Sequence, residues 1–274
     1  MIELKSIGDR LKRGRYRVHS RFSRAVNFEC DGELATIVDQ DIGFGPLNIV
    51  ASGIDFDSVD LLYINDTSLR FADYEIGYND DIRFRSILVF PEDPFPPIYF
   101  SNLMALQDAL KEFAPPKSLA LLIDFKRRKF NFYGVLEIGF IMQSRSAFGT
   151  MSEGRVVKGV RMMRGLGMGL TPGGDDFNAG VLSAYRVAEK VLGRDHSELI
   201  ESIYANAIGK NLISNAFLKC ARDGCFSERQ KALIMAVVFG GEEDVFRGTR
   251  RLCEIGETSG ADWGAGFYLT LNRI

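Results

Sequence analysis

The chain is poor in the side chains that carry imidazole or thiol chemistry. It has two histidines, His19 and His196, and four cysteines, Cys30, Cys220, Cys225 and Cys253, with no CxxC pair. That set supplies no tetrahedral zinc spacing, so no metal site is expected and the thiols read as buried and reduced. His19 falls on the polar face of a strand, where a surface role is the default. No run of about 18 apolar residues occurs, and "MIELKSIGDRLKRGR" at the start has no apolar signal core. A cytoplasmic chain with no membrane partner is therefore expected. Charge of one sign is scarce too: 34 basic against 36 acidic residues leave a net charge of −2. Nothing in that balance calls for nucleic acid as a partner. The single tryptophan, Trp263, reads as core.

What is present divides the 274 residues into two kinds of pattern. In "RFSRAVNFEC" Phe22, Val26 and Phe28 alternate with Arg21, Ser23, Asn27 and Glu29. Asp31-Gly32 then predicts a tight turn into the return strand "ELATIVD", because such turns need positive φ. Further strands are expected in Leu47–Ser52, Leu61–Asn65, Tyr74–Tyr78 and Ile82–Phe90, and the proline cluster Pro91–Pro97 closes the series. A helix is expected over Ser101–Phe113, stopped by Pro115-Pro116. Leu119–Phe148 fits neither period.

From about Ser152 the spacing turns helical. "SEGRVVKGVRMMRG" offers Ser152 as a cap, then Val156, Val160 and Met163 on one face, and ends at Gly165. Phe177, Val181, Ala184, Ala188 and Val191 recur in steps of four and three before Gly193. Asp195 with Glu198, and Ser227 with Gln230, form capping-box patterns ahead of two further helices. The expected class is α+β: a β-rich section over 1–150, with one or more helices, followed by a helical section over 151–274.

The densest chemistry lies in "GLGMGLTPGGDDFNAG" (Gly165–Gly180). It is no P-loop, since Asp175 stands where the lysine belongs, and no dinucleotide fingerprint, since the approach is GxGxG after a helix. A GxSxG elbow is absent, and no cofactor is implied. The stretch is repeated as "GETSGADWGAGFYLTL" (Gly256–Leu271): both copies read G-x-D-x-x-A-G, with an aromatic residue after the aspartate.

Capped helices packed through Ala-Gly would account for much of this. They would not account for Thr171, Asp175 and Asp176 together behind a glycine-rich approach. Amides at a helix start bind anions, and glycine lets a ligand come close. A small-molecule anion is therefore the expected ligand, held by Gly167, Gly169, Gly173, Gly174 and Gly260 with Thr171, Thr258 and Ser259. Asp175, Asp176 and Asp262 are the expected catalytic groups, as bases or hydrogen-bond acceptors. Whether a divalent ion visits the paired aspartates is left open. Arg161, Arg164, Lys210 and Arg247 are candidates to complete the anion site. The basic runs Arg10–Arg17 and Phe125–Phe130 read as solvated charge.

These residues resemble a known family. "GLGMGLTPGGDDFNAG" is similar to the motif G-L-G-x-G-L-T-P-S-G-D-D-F-x-x-G of the AllH-like subunits linked with oxamate carbamoyltransferase in allantoin breakdown. "ETSGADWGAG" resembles the second motif, T-S-G-x-D-x-x-x-G. Asn211–Gly224 and Gly43–Val50 fit weaker features of the same family. The matched positions are Gly165, Gly167, Gly169, Leu170, Thr171, Pro172, Gly174, Asp175, Asp176 and Gly180, then Thr258, Ser259, Gly260, Asp262 and Gly266. Gly173 stands where the family has serine.

The resemblance implies a carbamoyltransferase subunit that interconverts oxalurate and phosphate with oxamate and carbamoyl phosphate. It also implies hetero-oligomeric partner subunits; homo-oligomerisation stays open. The alternative is a non-catalytic ligand-binding or assembly subunit.

Overall fold

The computed structural model describes residues 2–90 and 99–274. The chain is α+β, as the periodicities imply, with a nine-stranded sheet followed by helices. It forms two compact units: residues 1–88 with 225–228, and residues 89–224 with 229–274. The proline cluster Pro91–Pro97 lies outside the described residues.

The strands of the first unit are β1 (Glu3–Gly8), β2 (Gly14–Phe22), β3 (Ala25–Cys30), β4 (Glu33–Val38), β5 (Asn48–Ser52), β6 (Leu61–Ile64), β7 (Ser68–Phe71), β8 (Tyr74–Gly77) and β9 (Arg83–Phe84). They lie in the order β8-β7-β6-β2-β3-β4-β5-β1-β9, antiparallel except for β4 with β5 and β1 with β9. The Asp31-Gly32 turn forms as expected, with φ of 49° and 78°. It aligns Phe28 with Ala35 and Val26 with Ile37, all buried.

The alternation before that turn is broken, however. β2 ends at Phe22, and the chain reverses through Ser23-Arg24. Phe22 is consequently 45% exposed rather than in line with Val26 and Phe28. β1, most of β2, and β7 were not legible, and Ile82–Phe90 yields only a two-residue strand. The parallel β4–β5 pair needs the connection through Gly43–Leu47. There the chain runs so close to β1 that a Cβ at Gly8 would overlap the Pro46 carbonyl.

The helices are α1 (Tyr99–Phe113), the short α2 (Phe125–Arg128), α3 (Val135–Ser152), α4 (Val156–Met163), α5 (Gly173–Leu192), α6 (Ser197–Ala207), α7 (Leu212–Arg222), α8 (Glu228–Phe239), α9 (Glu242–Cys253) and α10 (Ser259–Leu271). The ambiguous Leu119–Phe148 stretch therefore holds most of an 18-residue helix, α3. Ser152 is that helix's last residue and not the cap of α4, whose N-cap is Arg155. α1 to α3 belong to the helical unit. Among the described residues no helix is long and apolar enough to cross a membrane.

Buried polar side chains terminate two of these helices. Asn102 on α1 donates its amide to the carbonyls of Ala236, Val237 and Gly240 at the end of α8, at 2.9–3.3 Å. Arg128, inside the run expected to be solvated, is buried. Its guanidinium donates to the carbonyls of Leu110, Lys111, Ala114 and Pro115 at 2.9–3.2 Å. The Lys111 carbonyl has no intrahelical partner because residue 115 is a proline without an N–H, whereas the Leu110 and Pro115 carbonyls also accept from the Ala114 and Ser118 amides. Arg128→Met keeps the packing and removes the donors, so it is expected to cost about 2 kcal/mol. Urea unfolding checks this, and an unchanged midpoint would mean that the carbonyls find other donors.

Candidate functional site

α5 and α10 are the central helices of their unit: Gly173–Tyr185 and Gly260–Leu269 are buried without a break. Helices covered on all sides need backbones close together, and the two Ala-Gly pairs supply that. A Cβ at Gly180 would overlap the carbonyl oxygen of Trp263, and one at Gly266 would overlap that of Phe177. Each glycine thus faces the aromatic residue of the other motif. Trp263 is core, stacked on Phe267 with its Nε1 3.2 Å from the Ser183 hydroxyl.

The helix starts are also built alike. Gly174 sits against the Met163 carbonyl at the end of α4, and Gly260 against the Leu252 carbonyl near the end of α9. Their amides donate to Leu166 and Ile255 at 2.8 and 3.1 Å. Both residues are therefore packing positions whose N–H groups bond backbone carbonyls.

Ahead of α5 the loop reverses through Gly165, Gly167 and Gly169, with φ of 68°, 113° and 107°. L side chains rarely adopt such values. Asp175 closes the loop by accepting the Gly165 amide at 2.7 Å. Asn211, the N-cap of α7, ties the loop's other limb by donating to the Leu170 carbonyl at 2.7 Å.

The two motifs meet at one junction. The Thr171 hydroxyl lies 2.9 Å from Asp176 Oδ2 and 3.1 Å from Ser259 Oγ. The Asp262 carboxylate lies against Gly173, where a Cβ would come within 2.7 Å of Oδ2. Its Oδ1 accepts the Leu119 amide at 2.5 Å. Thr258 also hydrogen-bonds Asp262. The Gly173 amide makes no hydrogen bond among the described residues, nor do those of Gly167 and Gly169. In front of it stands Gly167, where a Cβ would lie 3.0 Å from the Gly173 nitrogen.

Asp175, Asp176 and Asp262 are 2–7% exposed. Burial raises all three carboxyls above the usual range. Asp262 is pushed up to about 7, with the hydrogen bonds from Leu119 and Thr258 opposing the shift. Asp176 is raised well above its ordinary value by burial and then by the Asp262 charge. Both carboxyls are therefore biased toward the protonated form. Asp175 is raised by burial against the Gly165 amide and the positive charge of Arg164.

Of the expected cations, Arg164 is the one whose charge reaches Asp175, and Arg247 pairs with Asp244. Arg161, Arg164 and Lys210 are all exposed. Sequence reasoning did not find Leu119, which sits in the stretch without a clear period. It missed as well a cleft of about 620 Å³ over Phe148, Phe177, Tyr185 and Leu269, with Arg155, Lys158 and Arg273 among its lining. None of the three aspartates lines that cleft.

The fold and site define a class: an α+β protein whose helical unit is centred on two interlocked glycine-aspartate helix starts. Comparison with known families gives the particular one. Residues 163–271 match the model described as oxamate carbamoyltransferase subunit AllH, and residues 3–85 match the AllH family N-terminal domain. The chain belongs to the AllH family, a family of oxamate carbamoyltransferase subunits. No curated protein and no solved structure matches it.

Proposed function

We propose that this subunit binds a small carboxylate or phosphate ligand at the junction of α5 and α10 and takes part in carbamoyl transfer there. The observation that carries this reading is the unbonded Gly173 amide, kept open by Gly167, beside a carboxyl pair and two hydroxyls. An amide at the positive end of a helix suits an anionic oxygen. The neighbouring carboxyl and hydroxyl groups suit amide nitrogens. Oxamate, oxalurate and carbamoyl phosphate each carry both kinds of group.

In the synthetic direction the oxamate nitrogen attacks the carbamoyl carbon. An N–C bond forms, and the C–O bond to phosphate breaks. The nitrogen loses a proton and the departing phosphate gains one. Asp176 and Asp262, both biased by burial toward the protonated form, accept the first and return the second. Gly167, Gly169 and Gly173 hold the anionic oxygens, while Thr171, Thr258 and Ser259 donate to developing charge. Asp175 keeps the loop closed.

The second reading, a non-catalytic ligand-binding or assembly subunit, is favoured by the near-complete burial of the carboxylates. Phosphate release from oxamate and carbamoyl phosphate, by the chain together with its partner subunits, separates the two. Turnover that disappears in Asp176→Asn while oxamate still raises Tm supports catalysis. Turnover that survives the substitution rules that role out, and melting shifts without any turnover leave a binding subunit.

A further inference from the structure

α3 carries apolar residues around its whole circumference, a pattern of helices buried on every side. Among the described residues only one side is covered. Ile141, Ser144, Ala147 and Met151 pack into the helical unit, while Val135, Ile138, Gly139 and Met142 form an exposed stripe at spacings of three, four and seven. Phe130, Tyr133 and Leu136 flank it. The six large side chains between Phe130 and Met142 are 47–88% exposed. At roughly 150–250 Å² each when fully exposed, they leave on the order of 800 Å² uncovered, the share one partner gives to a stable interface.

The stripe is self-complementary. A two-fold axis between Ile138 and Gly139, with two copies of α3 antiparallel, sets Ile138 of each over Gly139 of the other and Val135 against Met142. The space at Gly139 is open, with no atom within 4 Å of where its Cβ would be. Large opposite small on both sides of the axis is what an isologous contact requires. Between Val135 and Met142 charge does not oppose the pairing. Glu137, the one ionisable residue between Val135 and Met142, is held by Lys117 and by the amides of Tyr133 and Gly134.

We propose that the partner of this face is a second copy of the same chain, joined through antiparallel α3 helices. The pairing bears on the candidate site, because the ring of Phe140 on α3 lies 3.4 Å from where a Cβ at Gly167 would stand. An α3 held by its partner steadies the glycine loop. The inference stands independently of carbamoyl transfer.

Sedimentation of the full chain tests it, with an expected mass of two chains at about 10 μM. Gly139→Glu puts a charge into the open space, and about a 100-fold rise in the dimer dissociation constant is expected. Its Tm should not fall at a protein concentration where both forms are monomeric, since nothing in the monomer is displaced. Direction is read by cross-linking in a Cys30→Ser background. Oxidation joins a Val135→Cys chain to a Met142→Cys chain, but does not join Val135→Cys to itself. A chain monomeric at 100 μM, a dimer indifferent to Gly139→Glu, or a Val135–Val135 cross-link overturns the proposal. So does a chain that pairs through this face only with a different polypeptide.

Discussion

Gly180→Ala is expected to lower the free energy of unfolding by about 3 kcal/mol, and Gly266→Ala to do nearly the same. In an ordinary helix interior the change would stabilise by up to about 1 kcal/mol, since alanine is the better helix former. Here the added carbon meets backbone, the Trp263 carbonyl in one case and the Phe177 carbonyl in the other, and neither can rotate away. The Phe267 amide nitrogen is the next obstacle for Gly180, at 2.8 Å. α5 and α10 must separate, which loosens contacts along two central helices at once. Both substitutions are relieved by the same separation, so the double variant should cost less than the sum. Gly149→Ala on α3 is the control, because its Cβ would meet nothing within 4 Å. Urea midpoints read all four. Equal midpoints for Gly180→Ala and Gly149→Ala would show that the helices are not in backbone contact.

The second large effect is on pH. Wild-type stability is expected to fall between about pH 4 and pH 7, and Asp262→Asn to remove most of that fall. The Asp262 carboxyl, at about 7 when folded against 3.8 when free, binds its proton more tightly in the native state. Its contribution is complete below pH 3.8 and is lost as pH rises through about 7. The span corresponds to something on the order of 4 kcal/mol. Asp176 acts in the same direction. Glu137, lowered to about 2 by Lys117 and two backbone amides, acts oppositely and only in acid. The difference between wild type and variant therefore isolates the buried pair. Asparagine retains an oxygen for the Leu119 amide and carries no charge, so the variant should be the more stable protein at pH 8. Parallel pH profiles would mean that the Asp262 charge is already compensated in the folded state.

Much of the junction was legible because its two halves are the same short pattern. The repeat G-x-D-x-x-A-G, through its residue types and spacing, picks out the packing glycines, the aspartates and the aromatic residues beside them. What each glycine does was not legible. Gly173 and Gly174 look alike in sequence, yet one amide is free and the other bonds Leu166. The difference is set by how the preceding loop folds back. Leu119 and Asn211, which hold Asp262 and the loop, were hidden for another reason. Their contacts span 143 and 41 positions; the Leu119 donor is a backbone amide, which leaves no mark on residue type, and nothing near Asn211 in the sequence points its side-chain amide to Leu170.

The sequence by itself determined the α+β class, the Asp31-Gly32 hairpin, and the two small-residue helix starts, although neither start carries the side-chain cap expected of it. Each is a local matter of φ preference, periodicity and the first helical turn. Only the tertiary structure decided that the two starts share one junction, that Arg128 is buried as a helix cap, and that the Val135–Met142 stripe of α3 is exposed among the described residues. Those outcomes depend on which surfaces meet. A chain encodes that through the summed packing of distant residues, which no short stretch of it displays.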